Sequence, residues 1–111
     1  MTSTLHRPAP LSPEPMELLR SMLEEDFAVQ TARLTQLTVY ARMPGHGGYD
    51  AHALELLTAA ARQRIADTAA ALRRMAEGTY GVCGACERPI PLGRLRSVPS
   101  ASLCGACEQS S

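Results

Sequence analysis

The four cysteines of this chain fall in two tight pairs, Cys83-x2-Cys86 and Cys104-x2-Cys107, separated by seventeen residues. Each pair sets two sulfurs within one turn of backbone, and the gap is long enough for a short hairpin to carry the second pair back to the first. Four thiolates converging in this way are the donor set of a closed tetrahedral zinc site. The pattern runs deeper than the cysteines. Cys83-Gly84-Ala85-Cys86-Glu87 and Cys104-Gly105-Ala106-Cys107-Glu108 are the same five residues twice.

Two disulfides, a redox pair, an iron centre and inert buried thiols are the competing chemistries. The N-terminal stretch Met1 to Pro8 has no apolar run of secretory length. The expected compartment is therefore a reducing one, the cytoplasm, where structural disulfides are rare. A redox Cys-x-x-Cys belongs beside a βαβ unit, whereas both pairs here lie in a tail punctuated by Pro89, Pro91, Gly93 and Pro99. Four thiolates suit iron as well as zinc, and no residue type selects between the two metals. One structural zinc is the expectation.

These pairs need elements to position them, and 111 residues allow one small domain whose core benefits from a metal staple. Eleven basic and eleven acidic residues give zero net charge, which removes the electrostatic footprint of a general nucleic-acid binder. One Phe, no Trp and three Tyr supply little stacking surface for bases. No apolar stretch is long enough to span a membrane.

Residues 1–11, rich in Pro, Ser and Thr without periodicity, read as a disordered tail. Ser12 reads as a helix N-cap, with Pro13 at the first helical position and Glu14 and Glu17 in the first turns. Apolar residues then recur by threes and fours at Met16, Leu19, Leu23, Phe27, Leu34, Leu37 and Ala41, with Gln30 the polar break. The spacing predicts a helix over about 13–42. A tip loop over 43–49, with three glycines and Pro44, cannot continue it. A second helix is expected over about 50–77, N-capped by Asp50. Its seam is Leu54, Thr58, Ala61, Ile65, Thr68, Leu72 and Met75, and Gly78 ends it.

Two such helices, each about 40 Å long, joined by a short loop must run antiparallel. The expected fold is mainly α, an antiparallel two-helix coiled-coil hairpin followed by a small C4 zinc finger with minor β-structure. The corresponding division is a hairpin over 12–78, a zinc finger over 79–109 and a short tail at 110–111.

After this hairpin comes Gly78-Thr79-Tyr80-Gly81-x-Cys83-x2-Cys86-x3-Ile90-Pro91-x2-Arg94-Leu95-x3-Pro99-x4-Cys104-x2-Cys107. Together they resemble the DksA/TraR family of bacterial C4 zinc-finger proteins, and the matching run covers about residues 72–109. The resemblance implies a transcription regulator that binds RNA polymerase by inserting its coiled coil into the secondary channel. Family members carry an Asp-x-x-Asp-Ala pattern at the hairpin tip. Here Asp50-Ala51 supplies the second half and Gly47 stands where the first Asp would be. The Gly that usually follows the second Cys is Glu87. Positions that are basic in alarmone-responsive members are Val98 and Glu108 here, so ppGpp binding is not carried over.

Asp50 is therefore either an acid working at the tip or the N-cap of the second helix alone, and capping suffices to explain it. Arg94 is a family position with a structural or a docking role, in a zinc loop made locally basic by Arg88 and Arg96. His46 and His52, with no carboxylate cluster nearby, read as solvated. The acidic run Glu24-Glu25-Asp26 reads as a solvated helix face. No nucleophile and base pair is apparent, and four Cys ligands close a zinc sphere, so an enzyme is not expected. Two further readings compete with the polymerase-binding regulator. One is a zinc-stabilised interaction adaptor without tip activity, and the other is a small DNA-binding zinc finger, which neutral charge disfavours.

Overall fold

The computed structural model describes residues 13–110. The expected tail over 1–11, the Ser12 cap and residue 111 lie outside the described residues. Helix α1 spans Pro13–Arg42 and helix α2 spans Ala51–Glu77, and the two pack along one another to make a hairpin. Two short helices come after it, α3 at Leu92–Ser97 and α4 at Gly105–Ser110. The molecule is a rod of 64 × 30 × 21 Å. The mainly helical hairpin fold is thus as expected, as is the minor β-structure of the tail beyond Gly78, which holds two short helices in addition. Among the described residues its β-structure is one antiparallel bridge, Val82 to Pro89, and the remainder turns into α3 and α4.

Each helix stops where its chemistry requires. Gly78 takes φ +81 and its N–H reaches back to Arg74 and Met75, a left-handed C-cap that a Cβ would strain. Asp50 stands in extended backbone before α2, its Oδ1 accepting from the N–H of Ala53 at 2.7 Å.

Between the helices the chain turns through a left-handed stretch, with φ +81, +51, +60 and +91 at Gly45, His46, Gly47 and Gly48. The turn closes on Tyr40. Its ring stacks obliquely on Tyr49, with centroids 6.1 Å apart, and a Cβ built on Gly47 would meet the ring at 2.7 Å. Glycine is required at position 47 for both reasons.

The helical seam has two apolar clusters rather than one continuous stripe. Leu37, Leu54 and Ala61 form the tip cluster, with Leu34, Tyr40 and Leu57 packed against it. Leu19, Leu23, Ala71 and Met75 form the base cluster, which continues into the zinc finger through Tyr80, Ile90 and Leu95. Two expected stripe members fall outside the core, since Phe27 is 38 % exposed and Ala41 is exposed. Ala71, absent from the expected stripe, is fully buried. A helix drifts about 20° per heptad against a strict seven-residue repeat, so the stripe rotates off the partner unless supercoiling compensates. At the base a third surface, the finger, covers the side where Ala71 lies.

Between the two clusters Asp26 and Arg64 bridge the helices, with Arg64 Nη2 to Oδ1 at 3.0 Å and Nε to Oδ2 at 3.3 Å. The acidic run is therefore not wholly a solvated face. Thr68, the one buried polar side chain among the described residues, donates its hydroxyl within its own helix, to Arg64 O at 2.9 Å.

These contacts differ sharply in magnitude. Leu23→Ala removes a fully buried side chain where hairpin and finger meet and is expected to cost about 2–5 kcal/mol. Asp26→Asn breaks a half-exposed ion pair and is expected to cost less than about 1 kcal/mol. Urea unfolding followed by circular dichroism should separate the two by midpoint.

Candidate metal centre

The repeated pentapeptide builds the same turn twice. In each copy the N–H of the closing Glu donates to the carbonyl of the first Cys at 2.9 Å, Glu87 to Cys83 and Glu108 to Cys104. The residues immediately downstream make the two copies diverge. After Glu87 comes Arg88-Pro89, and the chain reverses: the Cys83 N–H donates to Arg88 O and the Ile90 N–H to Gly81 O, both at 2.8 Å. Glu87 takes φ +64 to make that reversal, the left-handed conformation that a Gly would occupy without strain. After Glu108 no proline intervenes, and the same turn propagates into α4.

The stretch between the pairs is fastened carbonyl by carbonyl. Tyr80 Oη donates to Pro99 O at 2.7 Å, and Arg74 Nη2 reaches Ser100 O and Ala101 O, each at 3.4 Å. The Gly84 N–H donates to Ser102 O at 2.9 Å, which ties the first knuckle to the approach of the second. Arg94 Nε donates to Leu103 O at 2.9 Å. Five consecutive carbonyls leading to Cys104 thus have donors, three of them side chains from α2, α3 and the segment between. Arg94 also pairs with the Glu108 carboxylate.

With both knuckles held, the sulfurs of Cys83, Cys86, Cys104 and Cys107 all lie within 4.8 Å of one another, and Cys86 and Cys104 are 3.8 Å apart. A tetrahedron with zinc–sulfur bonds of about 2.3 Å has edges of about 3.8 Å. The donor set therefore fits one structural zinc once the more widely spaced sulfurs draw in by up to about 1 Å.

Electrostatics point the same way. Backbone N–H groups, that of Cys86 first and then Cys104, pull the Cys83 thiol down to about 6. The Cys107 backbone similarly lowers Cys104. Hydrogen bonding to Cys104, then to Cys83 and Cys86, pushes Cys107 up to about 12. Four sulfurs this close cannot all ionise by themselves, and a divalent cation among them removes the conflict.

The cysteine quartet is thus brought together as the spacing demanded. The other two expected site residues are not near one another. Asp50 sits at the far end of the rod with its carboxylate engaged in capping, whereas Arg94 is at the base, turned inward to Leu103 and Glu108. His46 lies in the tip turn, and His52 faces Glu55 at 3.9 Å. Sequence reasoning missed Arg74. No local signal marks it, because its partners lie 26 and 27 residues away.

Residues 78–111 match the family model of the prokaryotic dksA/traR C4-type zinc finger, bearing out the resemblance in the finger itself. The structure of transcription factor DksA2 from Pseudomonas aeruginosa is similar to this chain with a TM-score of 0.71 at 22 % identity, covering 89 % of this chain and 84 % of that one. The likeness extends the shared fold to the hairpin. No curated protein sequence matches the chain.

Cys104→Ser should abolish stoichiometric zinc, read by native mass spectrometry. Circular dichroism should show loss of helix at the base as well as of the finger, because Leu19, Leu23 and Met75 share a core with Cys83. Retained zinc would overturn the ligand assignment. Burial also raises the Tyr80 phenol from 10.0 to about 12. Its folded value lies above its unfolded one, so the stability it contributes is full below pH 10 and is lost as pH rises towards 12. Ultraviolet titration should show one phenol ionising near pH 12, absent in Tyr80→Phe.

Proposed function

We propose that this chain, whose zinc finger matches that of the DksA/TraR family, is a non-catalytic transcription regulator that binds RNA polymerase through its helical hairpin, inserted in the secondary channel. The observation that carries the reading is the combination of that family's finger with a whole-chain fold like that of a transcription factor. The shape supports it: a rod whose smallest extent is 21 Å suits a narrow channel. Four thiolates fill a tetrahedral zinc, leaving no coordination position for a substrate, so the metal acts as a structural staple.

Cys83, Cys86, Cys104 and Cys107 are the zinc ligands in this reading. Asp50 is the tip group that meets the partner, and Arg94 orders the base that presents the prong. Direct nucleic-acid binding has little support at zero net charge. An alarmone site such as one for ppGpp has little either, with Glu108 paired to Arg94 and Val98 apolar.

A second reading, an interaction adaptor without tip activity, is favoured by one observation. The tip turn replaces a first acid with Gly47, packed on Tyr40, and engages the Asp50 carboxylate in a cap. Asn caps about as well as Asp, so Asp50→Asn removes the charge and leaves the fold intact. The full chain should co-purify with core RNA polymerase, with cross-links from the tip to the channel. In a transcription assay Asp50→Asn should reduce the response under the regulator reading and leave it unchanged under the adaptor reading. Absence of polymerase binding by the zinc-loaded protein would sink the regulator reading and leave only an adaptor for another protein.

A further inference from the structure

The tip turn keeps one side chain where its backbone favours glycine. Among the described residues His46 and Glu87 are the non-glycine residues with left-handed backbone, and the reversal after the first knuckle accounts for Glu87. His46, at φ +51 and ψ +36, stands between Gly45 and the pair Gly47 and Gly48, so glycine fills every other left-handed position of this turn. Glycine would fit position 46 with less strain. Strain kept for the sake of one side chain points to a use for that side chain.

His46 is half-buried and lines a trough at the tip end of the hairpin. The trough has a volume of about 390 Å³, with Ala41, Leu54 and Ala59 in its apolar lining and Glu55 and Arg62 beside His46 in its polar lining. From Ala51 to Arg62 that lining follows one face of α2 for roughly 17 Å by the rise per residue of a helix. A trough of this length takes a row of side chains from one segment of polypeptide rather than a compact molecule.

Arg62 fixes the charge of the occupant. Its neighbours one turn away on α2 are Thr58, Ala59, Ile65 and Ala66, and residues 27–49 contain no carboxylate. Arg64, Arg74 and Arg94 have acceptors within the chain, whereas Arg62 is exposed at the trough with no ion pair or hydrogen bond among the described residues. The nearby carboxylates are turned to other tasks, Glu55 lying 3.9 Å from His52 and Asp50 capping α2. An apolar trough with a spare cation calls for an apolar segment that carries an acid.

We propose, resting on the polymerase reading above, that this trough is the recognition surface of the tip. A segment of RNA polymerase lays apolar side chains against Ala41, Leu54 and Ala59 and sets a carboxylate against Arg62, with His46 closing the end nearest the turn. The concavity admits this segment without thickening the rod.

The test is the affinity of the zinc-loaded full chain for core RNA polymerase, titrated by fluorescence anisotropy. Arg62→Glu, at an exposed site, should weaken binding by about tenfold or more, and Arg62→Lys should keep most of it because the charge is preserved. Ala59→Met fills the trough with a good helix former and should weaken binding, whereas Ala60→Met, one residue along and outside the lining, should weaken it less. His46→Gly suits the left-handed backbone, so helicity by circular dichroism should be unchanged while affinity falls. Unchanged affinity in Arg62→Glu, or equal losses in Ala59→Met and Ala60→Met, would overturn the trough and leave the polymerase reading standing. No binding by the unaltered chain would overturn both. Self-association of the unaltered chain that Arg62→Glu abolishes, with polymerase affinity unchanged, would assign the trough to a second copy and overturn this occupant.

Discussion

Four thiolates meeting at one point are the constraint around which the base of this molecule is organised. The cation they fit links two knuckles that share no strand pairing, since the one bridge among the described residues, Val82 to Pro89, closes the first knuckle on itself. Its influence reaches past the finger because Cys83 is packed in one apolar cluster with Leu19 and Leu23 of α1 and Ala71 and Met75 of α2. The metal therefore clamps both helices of the hairpin indirectly. In so small a chain, where apolar burial alone is marginal, such a link decides whether the base of the rod is ordered.

The rest of the hairpin is held more lightly. Between base and tip clusters the half-exposed Asp26–Arg64 pair bridges the helices. The tip is then closed by geometry: a run of left-handed residues lets Gly47 lie against the Tyr40 ring. A rod anchored at one end and closed tightly at the other presents a stiff, narrow point. That is the mechanical property the proposed insertion in a polymerase channel needs.

Local chemistry in the sequence determined the metal ligands, the helical hairpin and the places where its helices stop. Cysteine spacing, the threes and fours of apolar residues, and the glycines at positions 47 and 78 each act within a few residues, where one-dimensional patterns are readable. The tertiary structure alone decided which side chains hold the finger together. Arg74, Tyr80 and Arg94 reach carbonyls between 9 and 27 residues away, contacts with no sequence period. It also decided that the same pentapeptide turns back at Glu87 and continues as a helix after Glu108. It made Ala71 more buried than Phe27, because burial depends on what a third element covers, and that element's position is fixed only once the four sulfurs have met.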